Sequence, residues 1–267
     1  ILQNLPDPLI MIDGDQKIVF INDAAQKNFS KINVLSAYLS GAGMVAICAP
    51  QEVITEVICR VPESLVCPLK KNCLTQIKNY IKSFDPDVIL IGSGLEEPLA
   101  NKTYEILNFA NKPAVIDASS LTALSKKDFA FSTYQNILTP HIGEMRRLLK
   151  TDILPLNSAK ELANKVKAIC LLKGQKTIIS DGIKTYFSTE GNEGLAKAGS
   201  GDVLGGIIAT IYAKLLRKQD SKSVKEKAFL ATCLGVFLQG KTADNVAKKI
   251  GKVSLRASDV ADYLPNT

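Results

Sequence analysis

The chain has 267 residues, a formal net charge of +7 and a composition that is 46% hydrophobic and 22% charged, enough apolar material for one large core. The positive charge is spread along the chain, with lysine pairs at 70/71, 126/127 and 248/249, while aromatics reach only 6% and Trp is absent. That pattern speaks against nucleic-acid binding and suits a phosphorylated substrate, the plainer reading of each pair being a solvated surface.

The six cysteines form no CxxC and there is one histidine, so neither a zinc cluster nor a disulfide framework is expected, and reduced thiols in a cytoplasmic protein are. The longest apolar stretch, 203–216, is shorter than the ~18 residues of a membrane span, so no membrane partner is expected. No signal peptide stands out, and no linker, repeat or low-complexity tract divides the sequence. A single domain over 1–267 is the expectation.

In chain order, 17–21 (KIVFI) predicts a strand and 33–39 a helix interrupted by Gly41-Ala42-Gly43. The run 44–49 (MVAICA) is continuously apolar between Gly and Pro, as in a strand buried on both faces. Helices are expected at 51–59, 74–84, 99–110, 143–149 and 158–166, and strands at 87–91, 114–116 and 136–138. Alternating strands and helices predict an α/β fold with a parallel sheet covered on both sides. The pattern then changes: strands at 169–172 and 177–180 are followed by Asp181-Gly182, a hairpin turn signal, and a strand at 184–187. An antiparallel hairpin at one sheet edge follows. The remainder reads as helices at 202–217, 223–239, 241–249 and near 258–263.

The stretch 192–206 (NEGLAKAGSGDVLGG) holds the strongest chemical signal. Gly199-Ser200-Gly201 feeds into apolar pairs at 203/204, 207/208, 211/212 and 215/216, the spacing of one helical face. Glycines opening a helix leave unpartnered N–H groups at its positive end, a site for phosphate. Asp202 in the first turn could deprotonate a hydroxyl beside it. In a parallel sheet the ligand crevice lies beyond the carboxyl ends of the strands. Gly92-Ser93-Gly94, Asp117, Thr139-Pro140-His141 and Lys173-Gly174 each follow a predicted strand and share that rim.

Residues 235–242 (GVFLQGKT) match the P-loop pattern letter for letter. No strand precedes them, and Val236, Phe237 and Leu238 continue a helical apolar pattern, so the match is rejected and Gly240 is read as a helix end.

Taken together, 192–206, 138–149 (LTPHIGEMRRLL), 172–177 (LKGQKT) and 254–265 (SLRASDVADYLP) resemble the NAD(P)H-hydrate dehydratase family, across about residues 40 to 265 in the right order. The resemblance implies a ribokinase-like three-layer sandwich, and dehydration of hydrated NADH and NADPH (NADHX and NADPHX) with ADP or ATP as phosphoryl donor and Mg²⁺ as helper. The bacterial wording of the motifs favours ADP, and a homo-oligomer is expected. By position, the resemblance assigns the nucleotide to Lys173, Gly174, Gln175, Lys176, Thr177, Asn192, Gly199, Ser200 and Gly201. It assigns the hydrated substrate to Gly94, His141 and Asp202, with Asp202 catalytic and no metal-ligating residue named.

This sequence departs from the family pattern on the substrate side. Segment 22–30 lacks the usual glycine turn and puts Phe29 where a small residue is expected; the GPG turn is Gly92-Ser93-Gly94; Asp117-Ala118-Ser119-Ser120-Leu121-Thr122 has lost a carboxylate and an amide; Gln239 replaces a common histidine. Two alternatives follow: a small-molecule kinase of the same fold, and a nucleotide-binding protein impaired in catalysis. A likeness of residues 5–29 to the opening of a PAS domain is taken as chance.

Overall fold

The computed structural model describes residues 16–22 and 27–267, with 27–31 described by their backbone only. Phe29 and the segment 5–29 therefore fall wholly or partly outside the described side chains. Among the described residues nine strands form one sheet: β1 (Lys17–Ile21), β2 (Met44–Ala49), β3 (Leu65–Pro68), β4 (Val88–Ile91), β5 (Ala114–Ile116), β6 (Asn136–Leu138), β7 (Ile169–Leu172), β8 (Ile178–Ser180) and β9 (Thr185–Phe187). Their order is β3-β2-β1-β4-β5-β6-β7-β8-β9, parallel through β7 and antiparallel in the final hairpin.

The apolar runs are strands because both of their faces are covered. Along β4, Val88 and Leu90 enter one core and Ile89 and Ile91 the other. The first core is closed by α1 (Lys27–Leu39), α2 (Gln51–Arg60), α9 (Ser200–Arg217), α10 (Val224–Ile250) and α11 (Ala257–Tyr263). The second is closed by α3 (Leu74–Phe84), α4 (Glu97–Ala100), α5 (Thr103–Ala110), α6 (Ala118–Ser125), α7 (Ile142–Leu149) and α8 (Ser158–Val166). The result is three layers, helices on both sides of a sheet, with the predicted hairpin at one edge.

Several boundaries differ from the sequence reading. The predicted helix 99–110 is two helices, α4 and α5, and neither β3 nor α6 was expected. Residues 235–242 lie inside α10, which removes the P-loop. Gly240 does not end that helix, which runs on to Ile250. Its small size serves packing: a Cβ there would stand 2.8 Å from the backbone carbonyl of Glu190. Gly206 plays the same part in α9, where a Cβ would meet Ser36 Oγ at 2.2 Å and the Asn33 carbonyl at 2.5 Å. Helix α9 is thereby seated directly on α1.

Candidate active site

The sheet's carboxyl rim is laced by backbone hydrogen bonds between the turns that leave adjacent strands. Asp117 N–H donates to the Ile91 carbonyl (3.0 Å), Thr139 N–H to Ile116 (3.1 Å) and Lys173 N–H to Pro140 (2.8 Å). The four turns picked out in the sequence therefore stand side by side. Gly92 and Gly94 are required by backbone shape, with φ of +129° and +69°. A Cβ on Gly92 would overlap the Asp117 carbonyl at 1.8 Å, and one on Gly94 would meet Asn22 Nδ2 at 2.5 Å.

Helix α9 points its first turn at this rim, with Gly199 as N-cap at φ +88° and ψ −15°. Val203 N–H already closes on the Gly199 carbonyl (3.0 Å). The earlier N–H groups of a helix have no intrahelical acceptor, so this turn offers donors and a positive dipole end. Gln239 Nε2 donates to the Ser200 carbonyl at 2.7 Å, tying α10 to the same turn.

Asp202 lies in that turn, and its Oδ1 accepts from Asn33 Nδ2 at 3.1 Å. Burial pushes its carboxyl up to about 6; Ser93 and Asn33 hydrogen bonds and the Lys173 charge pull the other way, and the Asp117 charge adds to the rise. Lys173 Nζ donates to Asp117 Oδ1 at 2.7 Å. Burial works against the Lys173 ammonium, but Asp117 first, then Glu144 and Asp202, outweigh it and raise its pKa. The ion pair stands over Gly201, where a Cβ would lie 3.4 Å from both Lys173 Nζ and Asp117 Oδ2. Glu144, 5% exposed, is raised by burial, which the His141 N–H and Lys173 partly offset. Near Asp117 a cleft of about 490 Å³ opens, lined by Leu95, Ala118, Ser119, Thr122 and Glu144 among others.

The predicted residues are only partly brought together. Asp202, Gly201 and Lys173 are brought together at the first turn of α9. Gly174, Gln175 and Lys176 form an exposed loop between β7 and β8, closed by Thr177, whose carbonyl accepts from Ser188 N–H at 3.0 Å. Asn192 is committed to the fold: its Oδ1 accepts from Gly194 N–H (3.0 Å) and its Nδ2 donates to Asp244 (2.7 Å). His141 is the N-cap of α7, with Nδ1 accepting from Gly143 N–H (2.9 Å) and Glu144 N–H (3.3 Å), while Glu144 returns the bond to His141 N–H (2.9 Å). That arrangement puts the proton on Nε2.

Asn33 and Glu144 emerge as groups that the sequence reading did not place at the site, while Ser93 and Asp117, which it put on the rim as parts of turns, emerge as the side-chain partners of Asp202 and Lys173. Asn33 Oδ1 is buried without a hydrogen-bond partner among the described residues, beside a cavity of about 10 Å³ shared with Asn22 and Ser93. In the altered 117–122 segment, Ser120 is structural, its hydroxyl 2.7 Å from that of Thr103, whereas Ser119 faces the cleft.

With this geometry in view, the comparison with known families is decisive. The family model for NAD(P)H-hydrate dehydratase matches residues 32–266. The chain belongs to the NAD(P)H-hydrate dehydratase family. It is 33% identical over 249 residues to a bifunctional NAD(P)H-hydrate repair enzyme of Moorella thermoacetica, covering 86% of this chain and 44% of that protein. It is 31% identical over 214 residues to an ADP-dependent (S)-NAD(P)H-hydrate dehydratase of Neisseria meningitidis, covering 75% and 69%. The chain thus spans under half the length of the bifunctional relatives it matches. The solved ADP/ATP-dependent NAD(P)H-hydrate dehydratase of Bacillus subtilis, co-crystallised with ATP and Mg²⁺, superposes with a TM-score of 0.73 at 23% identity, covering 98% of this chain and 93% of that one. The dehydratase-family fold is ribokinase-like, as expected.

Proposed function

We propose that this protein dehydrates NADHX and NADPHX with ADP as phosphoryl donor, and ATP as the less favoured one. The reading is carried by a half-buried carboxyl raised to about 6, Asp202, at a helix start that offers N–H donors to phosphate, in a chain of the dehydratase family. Asp202 takes the proton of the substrate hydroxyl as its oxygen attacks the terminal phosphorus of the nucleotide. A new O–P bond forms, and the pair of the old P–O bond leaves with AMP. The ring nitrogen's electrons then expel phosphate, and loss of a proton from the neighbouring carbon restores the double bond of NADH or NADPH.

The first-turn N–H groups of Gly201 and Asp202 stabilise charge on the transferring phosphoryl group, while Gly199 and Ser200 shape the turn. The exposed loop Gly174-Gln175-Lys176, with Thr177 at its end, and the neighbourhood of Asn192 receive the rest of the nucleotide, and Gly94 and His141 flank the hydrated ring. Mg²⁺ fits as an ion carried chiefly by phosphate: the described residues hold no group of three or more ligating side chains, but the buried carboxylate of Glu144 supplies the oxygen chemistry it prefers. When bound it neutralises phosphate charge. The described cysteines are all free thiols, in keeping with a cytoplasmic site of action. Self-association as a homo-oligomer would cover apolar side chains such as Ile183 and Phe187 on the edge hairpin, and light scattering reads it directly.

Incubation with NADHX and ADP or ATP tests the reading, with recovery of reduced-nicotinamide absorbance as the expected result. Folded protein that binds both nucleotides yet restores no absorbance would overturn it. A stable phosphorylated product would point to the kinase alternative. Binding without turnover, unaffected by Asp202→Asn, would point to the impaired one.

A further inference from the structure

We propose that Asp117 is a positioning residue that fixes the Lys173 ammonium above the first turn of α9, making Lys173 the cation shared by the transferring phosphate and Asp202. This deepens the dehydratase reading and rests on it. The family-based assignment of Lys173 is to the nucleotide-holding loop, yet its side chain leaves that loop: residues 174–176 are exposed, whereas the Lys173 ammonium is drawn inward to a carboxylate 6% exposed.

Asp117 is built to hold a charge still. Its N–H is bonded to Ile91, its carbonyl fills the place a Gly92 Cβ would take, and the next residue, Ala118, is in the left-handed region at φ +47°. A non-glycine residue in that conformation costs of order 1 kcal/mol, a strain that clusters at functional sites. On the other side Gly201 has ordinary φ, and a Cβ there would make only a normal 3.4 Å contact with the ion pair. The fold has no steric need for glycine at 201, so its absent side chain leaves an approach for a ligand between the α9 N–H groups and Lys173.

The consequence is an electrostatic division of labour. An ammonium that faced Asp202 alone would hold that carboxylate fully ionised and weakly basic. Shared with Asp117, it remains available to phosphate oxygens while Asp202 keeps its affinity for a proton. The groups facing Asp202 are Lys173 beyond β7, Asp117 before α6, Asn33 on α1 and Ser93 after β4. Glu144 on α7 faces Lys173 and Asp117 in turn, with His141 beside it.

Asp117→Asn and Lys173→Met test this by moving the same titration in opposite directions. Removing the Asp117 charge lowers the Asp202 pKa, and removing the Lys173 charge raises it. Two readouts apply: the acid limb of kcat/KM for NADHX with ADP, and the carboxyl-carbon NMR titration of Asp202, which needs no turnover. Lys173→Met is also expected to cut kcat by about 100-fold, the usual loss for one transition-state donor, with a smaller change in nucleotide KM. Should D117N fail to fold, Lys173→Gln reads the same limb from the other partner. Shifts in one direction for both variants, or none, overturn the proposal. If wild-type protein restores no NADH while the NMR titrations still diverge, the dehydratase reading falls and the charge arrangement stands.

Discussion

Replacing Asp202 by asparagine should make the protein more stable and inactive. The carboxyl rises from its ordinary value of 3.8 to about 6 in the folded chain, so the native state favours the protonated form. A raised carboxyl pKa means that stability is lost as pH climbs from about 4 through about 6, because the unfolded chain releases the proton first. The rise, about two pK units at about 1.36 kcal/mol each, sets an upper bound of about 3 kcal/mol at neutral pH. Asparagine carries no charge and nearly the same shape, so it removes this penalty while leaving the Asn33 contact an oxygen to donate to. For a chain of this size, 3 kcal/mol corresponds to roughly 5–10 °C in Tm. Melting curves of both proteins at a series of pH values check it: D202N should melt higher at neutral pH, with the gap closing below about pH 4. Turnover should fall by about 100- to 10,000-fold, the span for loss of a general base. A variant no more stable than wild type at neutral pH, or a gap independent of pH, would refute the reasoning.

Three further outcomes are expected. Gly240→Ala should destabilise by about 1–3 kcal/mol through overpacking against Glu190, although helix propensity alone would favour alanine by up to about 1 kcal/mol; urea denaturation gives the sign. Ser93→Ala removes a hydrogen bond to ionised Asp202, so the acid limb of kcat/KM should move to higher pH, measured across a buffer series. His141→Ala deletes the cap of α7 and should cost about 1 kcal/mol; if its Nε2–H also meets substrate, KM for NADHX rises while the nucleotide KM does not, and initial-rate kinetics separates the two effects.

The rim of the sheet was legible because buried parallel strands are short apolar runs and their turns carry Gly, Pro and Asp at fixed places. The start of α9 was legible for the same reason. Strand β3 was not, since Leu65-Val66-Cys67-Pro68 lies at an edge with Leu65 exposed and ends in proline. Gly240 misled because a glycine's local meaning is a helix end, whereas its partner, Glu190, comes from fifty residues earlier in the chain. Asn33 and Glu144 were hidden inside helical patterns, where a polar residue reads as solvent-facing; here they are 3% and 5% exposed and turned toward Asp202 and Lys173. Ser93 stood in the sequence only as the middle residue of an altered GPG turn, and the packing of α9 is what brings its hydroxyl to the Asp202 carboxyl.

The hydrogen bond from Asn33 to Asp202 joins residues 169 positions apart, and the sheet's inner strand β1 finds β4 only across some 70 residues. On an emerging polypeptide the glycine turns and the loop after β7 are complete before α9 has been made. Contacts of such long range form late, after the loops between them have closed. Asp202 therefore joins the rim only after the turns around it have been made, and a product that stops before residue 200 holds those turns without this carboxyl.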